Sequence, residues 1–400
     1  MSLTSIAAFI NDHGVDLSWQ REFYQWMHAH PELSGEETET AAAIRKKLAE
    51  FSCEVLSGIG GHGIVAIFRN GDGPCALMRA DFDALPVHED SGADFASTEP
   101  GKMHACGHDM HTTALLGLCA ILDARRDQWQ GTFVALFQPA EETASGAAAM
   151  VADSLCDLIP KPDVCFGQHV VAGPAGTVMS MAGPALAACD TITITIHGRS
   201  AHGSMPHQSI DPTFIAAMIV VRLQGIVGRE VSPFDFAVVT VGSLISGHTN
   251  NTVPGSATLV LNCRFYSDEV KTKVYQAIHR VVTAECLASG CEKEPDFEYS
   301  NHGELTDNSP EVFAKVRPLF DAVFNKDSID AQPWTASEDF SEIPRALGVP
   351  YLYWTVGVTP PGVDTPPVNH MPNFIPDYAP SVSATTRAGA AAILSYLSRD

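Results

Sequence analysis

The chain has 400 residues, of which 45% are hydrophobic and 18% are charged, and its formal net charge at pH 7 is −23. This composition is typical of a globular protein with a substantial core, and the acidic balance argues against nucleic-acid binding, which uses clustered lysine and arginine. The sequence has no run of about 18 apolar residues that would predict a membrane span, and its first residues lack the regions of a signal peptide. We therefore expect a cytoplasmic protein with two or three domains and no membrane partner.

Two segments carry signals for the start of a helix. Ser34 and Glu37 have the spacing of a capping box, which predicts a helix that continues through Phe51. Asp109 precedes apolar residues at helical spacing through Leu122, and this arrangement predicts that Asp109 caps a second helix.

Three short apolar runs, each predicted to be a buried strand, are followed by polar side chains of catalytic type. The runs cover residues 75–78, 132–137 and 164–166, and the side chains that follow are Asp83, the pair Glu141-Glu142, and His169. Open α/β sheets place their binding crevice at the carboxyl ends of the strands. The pattern therefore predicts a layered α/β domain with its site at that edge of the sheet.

The region from residue 188 to residue 300 has a different pattern. Residues 191–196 alternate between apolar and polar, which predicts a strand with one buried face, and Asp211-Pro212 is typical of a helix start. The remaining predicted elements are strands at 236–241 and 258–265, a helix at 270–287 and a strand near Phe297. The order β-α-β-β-α-β is that of a ferredoxin-like module.

Four candidate metal ligands, namely Cys106, His108, one of the pair Glu141-Glu142, and His169, precede this module, and His370 follows it. We therefore predict that residues 188–300 form an inserted domain, and that residues 1–187 and 301–400 together form one discontinuous metal-binding domain.

The segment 104–111 reads His-Ala-Cys-Gly-His-Asp-Met-His. Cys106 and His108 flank Gly107, and a turn at this glycine would direct both side chains to one point. Together with His169, His370 and the carboxylates, they favour a borderline-soft divalent ion such as zinc, or manganese or cobalt at a mixed-ligand site.

A second interpretation makes Cys106 a nucleophile with His108 as its base. It leaves the acids and the distant histidines without a role, so we prefer the metal site. His104 and His111 would overfill that site, and we expect them in supporting or surface positions.

The adjacent carboxylates Glu141 and Glu142 have diverging side chains. One can bind metal while the other holds the attacking water as a general base. Asp83 is a candidate to orient a ligating histidine.

In the inserted domain, His202 lies in a polar loop after a strong strand and is a candidate contact for a developing oxyanion. Asn251 and Arg264 are candidate contacts for a substrate carboxylate. On spacing alone, an ordinary loop explains these residues equally well.

Taken together, these segments resemble the M20 metallopeptidase family, in its amidohydrolase branch of hippurate hydrolases, N-acyl-amino-acid amidohydrolases and auxin-conjugate hydrolases. The segments that carry the resemblance run in family order: 28–33, 79–86, 104–111, 138–142, 166–169, the His202 loop, 251–254, 337–340 and 369–370. The loop Ser200-Ala201-His202-Gly203-Ser204 keeps the histidine of the family pattern but changes its neighbours, and the segment from Asn251 to Pro254 also departs from the pattern.

The resemblance implies a dinuclear centre of two divalent ions, zinc, manganese or cobalt. It assigns five metal ligands, namely Cys106, His108, Glu142, His169 and His370, and it makes Glu141 the general base. It also implies that the inserted module is a lid that dimerises, so the protein would be a homodimer or a higher homo-oligomer, with His202 reaching an oxyanion or carboxylate across the dimer. Asn251 and Arg264 become substrate-binding residues by the same resemblance.

The function that follows is metal-dependent hydrolysis of the amide bond of N-acyl or N-aroyl amino acids. Water that Glu141 deprotonates attacks the carbonyl, and Glu141 then returns the proton to the leaving amine. Two alternatives remain, a dipeptidase or carboxypeptidase with the same centre, and a non-catalytic metal-binding scaffold.

Overall fold

A computed structural model describes residues 2–399, which divide into two compact units. The first unit contains the residues up to Ala185, Asp307–Gln332, and the residues from Asp339 onward; the second contains Leu186–Thr306 and Pro333–Glu338. The second unit thus includes the predicted insertion and a short segment near residue 335 that the sequence did not indicate. Its role as a lid or dimerisation domain stays a prediction.

The described residues contain eleven α-helices and sixteen strands. The helices are α1 Leu3–Asn11, α2 Gln20–Ala29, α3 Thr38–Leu48, α4 His108–Ala124, α5 Gly146–Ala152, α6 Leu155–Leu158, α7 Pro212–Arg229, α8 Asp268–Ala288, α9 Pro310–Phe324, α10 Glu342–Leu347 and α11 Tyr378–Leu397. The strands are β1 Glu54–Ile59, β2 Gly63–Asn70, β3 Cys75–Asp81, β4 Gly131–Gln138, β5 Val164–Pro174, β6 Val178–Ser180, β7 Gly183–Leu186, β8 Ala188–His197, β9 Ala201–His202, β10 Ala237–Ser246, β11 Thr252–Val253, β12 Ser256–Phe265, β13 Asp296–Gly303, β14 Thr306–Asn308, β15 Ser328–Asp330 and β16 Tyr351–Thr359.

The first unit is built on an eight-stranded sheet with the order β1-β2-β4-β3-β5-β16-β6-β15. Its central strands β4, β3, β5 and β16 are parallel to one another. Every residue of β3 is buried, and helices α4 and α11 pack against this strand. A strand whose side chains are buried on both faces reads as a continuous apolar run, which is why periodicity predicted it as a buried strand. The layered α/β class predicted for this part of the chain is confirmed.

The parallel centre of this sheet positions the candidate site. Because β3, β4, β5 and β16 run in one direction, the segments that follow β3, β4 and β16 all leave from the same edge. Those segments carry Asp83, the pair Glu141-Glu142, and His370. His169 differs from the prediction, because β5 does not end at Phe166 and the histidine lies inside the strand.

The second unit contains a four-stranded antiparallel sheet with the order β10-β12-β8-β13 and the helices α7 and α8. Its chain order is the predicted β-α-β-β-α-β, with the short strands β9 and β11 added. The alternation in β8 buries Ile192, Ile194 and Ile196 and leaves the threonines between them partly exposed. The Asp211 side chain accepts a hydrogen bond from the Thr213 backbone N–H at 2.9 Å, which confirms the predicted start of α7.

Two predicted helix caps are wrong. Helix α3 follows Glu37 without a side-chain cap, and Ser34 and Glu37 are hydrogen-bonded elsewhere in the first unit. Helix α4 follows Gly107, and Asp109 lies inside its first turn, where its carboxylate accepts a hydrogen bond from His28 Nδ1 at 2.7 Å. In both places the side chain that was predicted to cap the nearby helix is instead hydrogen-bonded to a residue distant in sequence.

One helix in the described part of the chain, α7, is long and apolar enough to cross a membrane by length and composition alone. Its buried residues, which include Ile215, Ile219 and Leu223, belong to the core of the second unit.

Candidate metal centre

The loop before α4 brings two candidate ligands together. Gly107 has φ of +82°, in the left-handed region, so the turn predicted here is present. A Cβ atom at this position would lie 2.4 Å from Val170 Cγ2, so the turn requires glycine for its conformation and also for the space. Cys106 and His108 on either side are both buried.

Cys106, His108 and His169 form the first group of possible ligands. One ligand atom of each lies within 4.8 Å of the others, and Cys106 Sγ is 3.4 Å from His169 Nε2. All three side chains are buried, so solvent does not compete for them.

The two glutamates extend this group. Cys106, Glu142 and His370 form a second set of ligand atoms within 4.8 Å of one another, and His108, Glu141 and Glu142 form a third. His370 Nε2 lies 3.4 Å from Glu142 Oε2. Since the sets share members, the structure brings all five predicted ligands and Glu141 into one continuous cluster.

Asp83 connects three parts of this cluster. Its Oδ1 accepts a hydrogen bond from His108 Nδ1 at 3.1 Å, and its Oδ2 accepts from Ser34 Oγ at 2.7 Å and from the Glu142 backbone N–H at 3.0 Å. A carboxylate on Nδ1 fixes the tautomer of a histidine and presents Nε2 to a metal. His169 is oriented in the same way, because its Nδ1 donates to the Val170 carbonyl at 2.7 Å.

The loop that carries His370 is hydrogen-bonded to the backbone of the segments that carry Cys106 and His169. The His370 backbone N–H donates to the Ala105 carbonyl at 2.8 Å, and the Asn369 amide donates to the Val170 carbonyl at 2.9 Å and to the Cys106 carbonyl at 3.3 Å. His370 has φ of 72°, in the left-handed region that few non-glycine residues adopt.

Two buried atoms of the cluster suit a cation. His108 Nε2 and Glu142 Oε1 have no hydrogen-bond partner among the described residues. Leaving such atoms unpaired is costly in a buried site. A set of thiol, imidazole and carboxylate ligands matches zinc, or manganese or cobalt with mixed ligands, so the residues fit a divalent metal.

The electrostatics favour positive charge at the same place. Burial raises the pKa of the Cys106 thiol well above its usual value and raises that of Glu142 to about 7. Burial opposes protonation of His108, but the carboxylates of Asp81 and Asp83 outweigh it and raise its pKa. The raised pKa values of these three groups favour protons that a bound cation would displace, whereas burial lowers the pKa values of His169 and His370 and favours their neutral, metal-binding form.

His104 and His111 are both buried, so neither has a surface role. His111 Nδ1 donates to Asp81, and its Nε2 accepts from the Val170 backbone N–H at 2.9 Å. Both of its nitrogens are thus engaged in protein contacts, as expected for a supporting residue.

A buried ion-pair network next to the cluster was not predicted from the sequence. The Arg79 guanidinium donates to Asp81 at 2.6 Å and to Asp339 at 3.0 Å, and Asp339 also accepts from the Gln138 amide at 2.7 Å. The only signal was the position of Arg79 and Asp339 within segments that carry the family resemblance.

In the second unit, the structure places His202 and Asn251 side by side. His202 on β9 pairs with Thr252 on β11, and the Gly203 N–H donates to the Asn251 carbonyl at 2.6 Å. Arg264 lies on β12, where its guanidinium donates to the Thr335 carbonyl at 2.7 Å and to Ser337 Oγ at 3.1 Å.

Comparisons with known proteins agree on one family. The family model described as Peptidase family M20/M25/M40 matches residues 77–388. N-acetyl-L-cysteine deacetylase of Bacillus subtilis is 36% identical over 319 residues, 79% of this chain and 75% of that protein. Thermostable carboxypeptidase 2 of Saccharolobus solfataricus is 32% identical over 344 residues, 85% of this chain and 86% of that protein. A solved Bacillus subtilis structure, described as a dinuclear metal binding peptidase from the M20 family, has a TM-score of 0.79 at 28% identity and covers 94% of this chain and 98% of its own.

We predict that Gly107→Ala destabilises the protein more than Gly101→Ala does. Both glycines have positive φ, but a Cβ at Gly101 would meet nothing within 4 Å. The free energy of unfolding of Gly101→Ala should fall only by the cost of placing alanine in the left-handed region, about 1–2 kcal/mol. Gly107→Ala adds the clash with Val170, which should cost about 1–3 kcal/mol more. Denaturant unfolding measures both values. Equal losses would show that the contact with Val170 does not constrain the loop.

Proposed function

Since this chain belongs to Peptidase family M20/M25/M40, we propose that it is a dinuclear metal-dependent amidohydrolase that releases an amino acid and a carboxylic acid from N-acyl or N-aroyl amino acids. The observation that carries the proposal is the buried cluster of thiol, imidazole and carboxylate groups with a second carboxylate beside it. A scaffold without catalysis would need the ligands alone, but Glu141 supplies a base as well.

Five residues would hold the ions: Cys106, His108, Glu142, His169 and His370. When bound, divalent ions supply Lewis-acid polarisation of a carbonyl oxygen and lower the pKa of nearby water. The combination of thiol, imidazole and carboxylate ligands suits zinc, manganese or cobalt.

The two glutamates take different roles. Glu142 belongs to the groups that contain Cys106, His370 and His108, whereas Glu141 shares a group with His108 but none with Cys106 or His370. We assign Glu142 to metal binding and Glu141 to proton transfer. Glu141 accepts the proton of the attacking water and delivers it to the leaving nitrogen, and a neighbouring carboxylate needs only modest basicity for this step.

The proposed substrate class is an amide whose leaving group is an amino acid with a free α-carboxylate. The deacetylase and carboxypeptidase relatives are each above 30% identical to this chain, and a substrate with an amide next to a free α-carboxylate would suit either activity. We assign Asn251 and Arg264 to that carboxylate and His202 to the developing oxyanion.

A substrate panel tests the proposal. N-acetyl, N-benzoyl and indole-acetyl amino acids are compared with dipeptides and with carboxypeptidase substrates, with manganese, zinc or cobalt added after removal of metal by a chelator. We expect activity to be lost on chelation, to return with a divalent ion, and to be highest on N-acyl amino acids. Preferential cleavage of dipeptides or of peptide C termini would favour the peptidase alternative. If the metal-free protein still turns over substrate and thiol alkylation stops that turnover, Cys106 would instead be the nucleophile.

We also propose a homodimer or higher homo-oligomer that uses α7 and β10 of the second unit. On α7, Phe214 and Val221 are 60% and 65% exposed, and they lie on one face of the helix. Ile245 on β10 is 65% exposed, and β10 is an edge strand of its sheet. Apolar residues on an open edge are best protected by pairing with another copy.

Ile245→Lys should therefore reduce the mass of the protein in solution towards that of one chain. Leu287→Lys is the matched control, because Leu287 is 77% exposed on α8 of the same unit. Sedimentation or light scattering measures the mass of each variant. A wild-type protein with the mass of one chain, or an equal effect of both substitutions, would contradict this interface.

A further inference from the structure

The turn between β4 and α5 carries both glutamates in an unusual conformation. Ala140 and Ala144 have φ of 51° and 49°, a region that alanine rarely adopts. The turn is also tight, because the Gly146 N–H donates to the Ala140 carbonyl at 3.0 Å. A backbone of this kind persists only where its surroundings hold it.

Three carboxylates distant in sequence hold this turn and the first residues of α5 through backbone N–H groups. Glu37 Oε1 accepts from Ala140 at 2.8 Å, Asp83 Oδ2 accepts from Glu142 at 3.0 Å, and Asp339 Oδ2 accepts from Ala147 at 3.0 Å. Asp83 also binds His108, and Asp339 also binds Arg79, so those two have further roles.

Glu37 is the carboxylate whose placement the helix does not explain. It directly precedes α3 but does not cap that helix with its side chain, and it is fully buried. Burying a carboxylate costs free energy, and here burial raises the pKa of Glu37. The side chain crosses to a turn 103 residues further along the chain. The neighbouring Glu36 is exposed and pairs with Lys102.

We propose that Glu37 is a positioning residue that fixes Ala140, and through it the directions of Glu141 and Glu142. This inference rests on the proposed function for the roles of the two glutamates, but the contact itself does not. Hydrogen-bonding the N–H next to the base sets the direction in which its side chain leaves the turn. A small displacement of a catalytic carboxylate lowers turnover without weakening substrate binding.

The test compares two variants of Glu37 with a control. Glu37→Gln keeps an oxygen that can accept from Ala140, whereas Glu37→Met has similar length and no acceptor. Glu36→Gln, one residue earlier and exposed, is the control. We expect Glu37→Met to lower kcat by on the order of 10- to 100-fold with little change in KM, and we expect Glu37→Gln and Glu36→Gln to stay within a few-fold of wild type.

Hydrogen exchange of the metal-free protein provides a readout that does not depend on activity. The Ala140 amide should exchange faster in Glu37→Met than in wild type, and Glu37→Gln should keep its protection. If the Met variant does not fold, Glu37→Asp, which shortens the side chain by one methylene, is used in its place. If the Ala140 amide stays protected in a variant without the acceptor, the proposal is overturned, whether or not the enzyme is active. If protection is lost in a protein that cleaves none of the panel substrates, only the proposed function is contradicted.

A comparison of Glu37→Met in wild-type enzyme and in the Glu141→Gln variant distinguishes a positioning role of Glu37 from a general loss of structure. If Glu37 acts through Glu141, Glu37→Met should reduce the residual turnover of Glu141→Gln much less than it reduces wild-type turnover. Equal reductions in the two backgrounds would contradict the proposed role.

Discussion

The burial of acidic groups at one edge of a parallel sheet is the constraint on which the candidate centre depends. Asp81 and Asp83 lie against the His108 imidazole, and Glu142 lies beside the Cys106 thiol, in a place where water solvates these groups poorly. Charge of one sign cannot accumulate there without compensation. Arg79 compensates the charges of Asp81 and Asp339. Divalent cations are the compensation that fits the chemistry of the adjoining cluster of candidate ligands.

The same constraint explains the hydrogen bonds that surround the ligands. A histidine that binds a metal presents one ring nitrogen to the ion, and the other nitrogen is commonly hydrogen-bonded by the protein. Asp83 and the Val170 carbonyl do this for His108 and His169. Asp83 also binds the backbone of Glu142, so one carboxylate positions both an imidazole and the turn that carries the glutamates.

Much of this arrangement could be predicted from the sequence, because its signals are local. The buried strands are visible as apolar runs, and the side chains that follow them are visible as polar interruptions. Gly107 between two ligand types indicated a turn, and the alternation of residues 191–196 indicated a half-buried strand. His169 was predicted to follow a strand but lies within it, since the length of a buried strand has no end signal when polar residues are also buried.

The wrong predictions concern side chains whose partners are distant in sequence. Ser34 and Glu37 match a helix cap in spacing, yet their partners lie 49 and 103 residues away in Asp83 and Ala140. Asp109 likewise binds His28. A local pattern cannot distinguish a carboxylate that caps its own helix from one that supports a distant turn, because the choice depends on packing that the pattern does not contain. The segment near residue 335, which joins the second unit, was missed for the same reason.

The central claim is that two adjacent carboxylates divide metal binding and proton transfer between them. The most direct measurement is the metal content and kcat of Glu141→Gln and Glu142→Gln, determined side by side after loading with the same divalent ion. The account predicts that Glu141→Gln keeps its metal and loses turnover by on the order of 10²-fold or more, whereas Glu142→Gln binds less metal. Normal metal content in Glu142→Gln together with depleted metal in Glu141→Gln would contradict the assignment of the two roles.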